Sequence, residues 1–121
     1  MTSILVVDDE YLIADILAYA LEDEGYMVVK ASNGQKGLEI LDHEQPLLVI
    51  TDFMMPRMDG LEFARAIRSR PHPCDFPIIL MSGAQGSLGR TSPELFAAVF
   101  DKPFDIADVI AKVRELIGPP R

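Results

Sequence analysis

The most constraining feature of this chain is a rhythm. Five short apolar runs, each ended abruptly by a polar residue, alternate with stretches whose apolar residues recur at helical spacing. Ile4-Leu5-Val6-Val7 is stopped by Asp8-Asp9-Glu10, and so apolar a β-branched run reads as a strand buried on both faces. Leu12, Ile13, Ile16, Leu17, Ala20 and Leu21 then predict an amphipathic helix over 10–23, with Gly25 where a left-handed cap belongs. A second strand is expected over 26–31, and a second helix, capped by Ser32 or Asn33, up to about 43. Pro46 breaks the chain before a third strand over 47–51, which Asp52 follows directly. A loop bearing Pro56 and Gly60 leads to a third helix over 61–69 that buries Phe63, Ala64 and Ile67. Ile78-Ile79-Leu80-Met81 is the fourth strand, and Ser82 ends it. The next stretch is poor in apolar residues and carries Gly83, Gly86 and Gly89, so a fourth helix should be short or irregular, over 93–97 with Ser92 as cap. A brief fifth strand over 98–101 precedes Lys102-Pro103. Val109, Ile110, Val113, Leu116 and Ile117 mark a last helix that Gly118 ends.

Apolar strands alternating with helices imply an α/β fold, a five-stranded parallel sheet covered by helices on both faces. With 121 residues, 49% of them hydrophobic, one domain over 1–121 is expected, with no repeat or second domain. The lone Cys74 excludes an internal disulfide and fits a reducing compartment. Nineteen acids against eleven bases give a net charge of −8, which disfavours a nucleic-acid partner. No apolar run approaches the roughly 20 residues of a membrane span, and the N-terminus has no basic leader. A cytoplasmic protein is expected, bound to neither nucleic acid nor membrane.

In a parallel sheet every C-terminal strand end lies on one edge, where ligands bind. Asp8 and Asp9 end the first strand, Asp52 the third, Ser82 the fourth and Lys102 the fifth, so five polar residues distant in sequence converge. Three carboxylates that close repel one another, and a hard divalent cation such as Mg²⁺ relieves the repulsion. For Asp8 and Asp9 the simpler role of favouring the following helix start stays open.

The chain resembles the receiver domain of two-component response regulators from first strand to last helix. The matching residues are Val6-Val7-Asp8-Asp9-Glu10, Asp52 with Met55-Pro56-Arg57-Met58-Asp59-Gly60, Met81-Ser82-Gly83 and Asp101-Lys102-Pro103-Phe104. The resemblance implies a flavodoxin-like doubly wound fold, with Asp52 as phosphoacceptor in a phosphorelay. It implies Mg²⁺ on Asp8, Asp9, Asp52 and the backbone carbonyl of Met54, with Ser82 and Lys102 on phosphoryl oxygens. It implies a signalling switch rather than a turnover enzyme, served by a sensor histidine kinase or histidine phosphotransfer protein and acting on an unidentified downstream protein. A stand-alone switch is expected, although Gly118-Pro119-Pro120-Arg121 equally suits the start of a linker.

Three departures stand out. Val99 occupies the position where the family carries a switching aromatic, and Phe100 should face the other side of its strand. The interval from Ser82 to Lys102 is slightly short, which suits either a harmless loop deletion or a mobile segment over 83–97 that orders when Asp52 is phosphorylated or a partner binds. Met54 and Ala84, two residues after Asp52 and Ser82, cannot orient an attacking water by hydrogen bonding, so slow self-dephosphorylation is expected. Met54 also stands where a phosphatase of the haloacid dehalogenase kind needs an acid. His43, His72 and Cys74 read as loop or solvated residues, and Arg65, Arg68 and Arg70 as a solvated face.

Overall fold

The computed structural model describes residues 3–71, 75–83 and 93–120. The strands are β1 (Ser3–Val7), β2 (Met27–Ala31), β3 (Leu48–Asp52), β4 (Ile78–Ser82) and β5 (Ala98–Asp101). The helices are α1 (Tyr11–Asp23), α2 (Gly34–Leu41), α3 (Gly60–Arg68) and α4 (Ile106–Ile117). All strand pairs are parallel, in the order β2-β1-β3-β4-β5. The expected doubly wound α/β architecture is therefore present, and the reversal of strand order falls between β1 and β3.

Side-chain alternation along the strands divides the core in two. Leu5, Val7, Val49, Ile78 and Leu80 face Phe63, Ala64 and Ile67 of α3, with Leu38, Ile40 and Leu41 of α2 beside them. Ile4, Val6, Leu48, Ile50, Ile79 and Met81 face Ala14, Leu17 and Leu21 of α1 and Val109 and Val113 of α4. The central strands are buried throughout, which is why their sequences are mostly apolar up to their polar ends.

Local chemistry sets the boundaries. Asn33, rather than Ser32, caps α2 by accepting from the Lys36 N–H. Asp59 and Glu62 form a reciprocal capping box that starts α3 at Gly60, one residue earlier than expected. Asp105 caps α4 through the Ala107 N–H at 2.9 Å. Gly25 has φ 109, as a left-handed helix exit requires. Tyr26 is not part of β2: it is buried just before it and donates its hydroxyl to the Gly118 carbonyl at 2.6 Å.

The short helix expected over 93–97 is absent. Residues 93–95 form a turn, Leu95 and Phe96 are buried against the α3 side of the sheet, and the Ala97 N–H bonds to the Ile78 carbonyl. One isolated helical turn fixes several backbone angles for a single hydrogen bond, a cost that five residues with only two large apolar side chains do not offset. Ser92 and the segment 84–92 lie outside the described residues.

The α2–α3 contact depends on Gly37. A Cβ there would lie 2.8 Å from Cζ of Phe63, a ring with no exposed surface, and 3.3 Å from Val7. Alanine would favour the helix by about 1 kcal/mol, but it overpacks a rigid core by roughly 1–3 kcal/mol. Gly37→Ala is therefore expected to lower the denaturant midpoint at unchanged slope, measured by urea unfolding followed by circular dichroism.

Candidate functional site

The polar residues that terminate the strands do meet. Asp8 follows β1, where its backbone N–H bonds to the Ala31 carbonyl and its Oδ1 accepts from the Glu10 N–H at 2.8 Å. Asp52 is the last residue of β3, in register with Met81, so Ser82 ends β4 one residue farther along. Lys102 follows β5, its backbone N–H bonded to the Ser82 carbonyl at 2.6 Å and its peptide bond to Pro103 cis. The Lys102 Nζ lies 2.9 Å from Asp52 Oδ1, 3.6 Å from Glu10 Oε1 and 3.8 Å from Asp8 Oδ2.

The pocket is short of partners. Asp8, Asp52 and Ser82 are all buried, yet among the described residues Asp8 Oδ2 and Ser82 Oγ have no hydrogen-bond partner. Carboxylate oxygens of Asp8, Glu10 and Asp52 lie within 4.8 Å of one another. Burial pushes the Asp8 carboxyl up from 3.8 to about 6; the Glu10 N–H pulls against that shift, and the nearby Asp52 charge adds to it. Burial likewise raises Asp52, against the pull of its hydrogen bond and ion pair with Lys102 and with a further push from Asp9. For Lys102, burial works against the charged form. The hydrogen bond and charge of Asp52, with Asp8 and Glu10 behind it, outweigh burial and hold the ammonium above its ordinary value.

Glu10 is the member of this cluster that the sequence reading missed. Its signal is the run of three acids Asp8-Asp9-Glu10, of which the strand-end pattern singles out only the first two. Asp9 is exposed and is not among the three carboxylates that close on one another, although Asp52 feels its charge. Met54 sits in the loop after β3 with its side chain largely exposed, whereas Met55 is buried. That loop carries a tight three-residue turn, closed by the Met58 N–H on the Pro56 carbonyl, in which Arg57 takes φ 71.

Val99 packs on the α3 side of the sheet and Phe100 on the α1 and α4 side, so Phe100 does not replace the missing aromatic. Two of the three arginines expected on a solvated face are engaged internally. Arg68 donates to the Phe76 carbonyl and stands 5.8 Å from that ring's centroid, while Arg70 pairs with Asp42. Ala84, His72 and Cys74 lie outside the described residues. Among the described residues no helix is long and apolar enough to cross a membrane.

A doubly wound parallel sheet with buried acids and a lysine gathered at the carboxyl edge of its strands defines a receiver-type signalling domain. Residues 4–114 match the response regulator receiver domain, and the chain belongs to that family, with its phosphoacceptor signalling role. The response regulator MprA of Mycolicibacterium vanbaalenii is 36% identical over 117 residues, covering 94% of this chain and 49% of that protein. The alkaline phosphatase synthesis transcriptional regulatory protein PhoP of Bacillus subtilis is 35% identical, covering 94% of this chain and 48% of its own. The chain thus spans about half the length of these curated relatives. A receiver domain protein of Clostridium thermocellum superimposes with a TM-score of 0.83 at 29% identity, over 97% of this chain and 94% of that one. The signal receiver domain of a histidine kinase from Syntrophus aciditrophicus gives 0.87 at 27% identity, over 97% and 90%.

The raised Asp8 carboxyl makes a stability prediction. Its folded value of about 6 exceeds the ordinary 3.8, so the folded state holds this proton more tightly. The metal-free protein therefore loses stability as pH rises through that window, and above it the full penalty is present, on the order of 3 kcal/mol. Asp8→Asn keeps the acceptor for the Glu10 N–H and removes the charge. In chelator at pH 8 it should melt several degrees above wild type, and at pH 4 the two should melt nearly together.

Proposed function

We propose that Asp52 accepts a phosphoryl group from the phosphohistidine of a sensor histidine kinase or histidine phosphotransfer protein. A carboxylate oxygen of Asp52 forms the new bond to phosphorus, and the phosphorus–nitrogen bond breaks with its electron pair leaving on the imidazole. The observation that carries this reading is the 2.9 Å contact between the Lys102 ammonium and the buried Asp52 carboxylate. A carboxylate is a weak nucleophile, so the protein's contribution is positioning and neutralisation of the phosphoryl oxygens. Lys102 supplies one positive charge, and the buried Ser82 hydroxyl, which has no hydrogen-bond partner among the described residues, can donate to an acceptor oxygen.

The donor set suits a hard divalent ion: the oxygens are all carboxylate, and one buried oxygen of Asp8 accepts no hydrogen bond among the described residues. Asp8, Asp9, Asp52 and the Met54 backbone carbonyl would hold Mg²⁺, with Glu10 close at hand. Bound there, the ion supplies positive charge to the phosphoryl oxygens. Acceptance then shifts an equilibrium between shapes the domain already samples, and the shifted form regulates a downstream protein. We place this single receiver domain, residues 1–121, in the cytoplasm, with no turnover of a separate substrate and no nucleic-acid or membrane contact of its own.

Beryllofluoride, which mimics a phosphoryl group on aspartate, tests the reading without a cognate kinase. In Mg²⁺ it should raise the melting temperature of wild type by several degrees and leave Asp52→Asn unmoved. Equal shifts in both proteins, or none in wild type, would contradict the assignment. Duration is a separate matter. Met54 offers no hydrogen bond to an attacking water, so Met54→Asn should shorten the phosphoryl lifetime several-fold, as read from decay after donor removal.

A further inference from the structure

Four polar or charged residues are buried among the described residues: Asp8, Asp52, Ser82 and Thr51. The first three form the pocket. Thr51 lies in β3 directly before Asp52, and alternation turns its side chain away from the carboxylate. Its lateral neighbours in the sheet are Val7 and Leu80, both fully buried and both in the apolar layer beneath α3. Valine would fill that place with the same shape. A hydroxyl there is disfavoured unless it is bonded, and this one is: Thr51 Oγ1 donates to the Asp52 backbone carbonyl at 3.0 Å.

The same carbonyl is also confined by Gly60. A Cβ on Gly60 would lie 2.5 Å from the Asp52 carbonyl oxygen and 2.9 Å from both Phe53 Cα and Leu80 Cδ1. The Gly60 N–H donates to the Phe53 carbonyl at 2.8 Å, and the Phe53 N–H to the Met81 carbonyl at 2.9 Å. The peptide joining Asp52 to Phe53 is thus gripped by a side-chain hydroxyl, a close glycine and one backbone bond, and the Gly60 N–H holds the peptide that follows it. That peptide sets both the bearing of the Asp52 side chain and the departure of the loop 53–59, which carries the Met54 carbonyl.

We infer that the Thr51 hydroxyl is a positioning group for phosphoryl acceptance, fixing the Asp52–Phe53 peptide so that the acceptor carboxylate and the Met54 carbonyl converge. The inference rests on the acceptor role proposed for Asp52. A misplaced reacting group slows transfer steeply even where folding survives, whereas a purely structural Thr51 would show itself in stability alone.

The test uses acetyl phosphate, a small donor that bypasses any kinase surface, together with Mg²⁺ titration of the amide spectrum. Thr51→Val should take up the phosphoryl group about tenfold more slowly than wild type. It should also bind Mg²⁺ several-fold more weakly and shift the resonances of 53–59, while its metal-free melting temperature stays within a few degrees. Thr51→Ser, which keeps the hydroxyl, should restore rate and affinity. Wild-type rate and Mg²⁺ affinity in Thr51→Val would overturn the inference. If Thr51→Val does not fold, Thr51→Ser and Thr51→Ala differ from one another only by the hydroxyl oxygen, and equal rates in that pair would overturn it as well. A wild type that takes no phosphoryl group from acetyl phosphate would remove the acceptor role itself, an outcome separable from a failure of Thr51 alone.

Discussion

One ammonium group, that of Lys102, faces the carboxylates of Asp52, Glu10 and Asp8 at 2.9, 3.6 and 3.8 Å, and the surrounding fold is arranged to hold it there. Two of those acids are buried, and buried like charges resist ionisation unless something offsets them. Burial, with the Asp52 charge adding to it, holds the Asp8 carboxyl above its ordinary value against the pull of the Glu10 N–H and Lys102. The strands cannot relax to relieve the repulsion, because β1, β3 and β4 pack apolar side chains on both faces. Moving an acid outward would drag core residues with it. A pocket held in this state favours any ligand that adds positive charge or redistributes negative charge.

Most of this arrangement was legible in the sequence, and for a definite reason. A central parallel strand needs apolar residues on both faces, so its end is sharply marked by the first polar residue. Asp8, Asp52 and Ser82 are legible in that way, and Lys102 is legible as the residue that follows the edge strand β5. What escaped depended on geometry that patterning does not encode. Glu10 lies beyond the strand end, and only the turn into α1 brings it within reach of Lys102. The bond from Thr51 to the next residue's carbonyl and the left-handed Arg57 are local backbone events with no periodic signature. The capping box of Asp59 and Glu62 was the exception: its spacing was readable and was passed over. The 93–97 segment was misjudged because a Pro and two apolar residues suit a helix start and a buried turn equally well.

The sheet also bears on how a signal leaves the pocket. Val99 and Phe100 lie on opposite faces of β5, so the β5 position that would carry an aromatic on the α3 side carries a short branched side chain. The connections that do leave the pocket run through backbone: the Ser82 carbonyl to the Lys102 N–H, and the Met81 carbonyl to the Phe53 N–H. A shift of Ser82 toward a new phosphoryl oxygen would therefore act directly on the start of the segment after β5, and through it on α4.

The central claim is that Asp52 is the phosphoacceptor, and the most direct measurement is chemical trapping of the acyl phosphate. After reaction with acetyl phosphate in Mg²⁺, borohydride reduction followed by peptide mass mapping should recover homoserine in place of aspartate at position 52 and nowhere else. Reduction at another acid of the cluster, or no reduction in protein shown to be folded, would contradict the account.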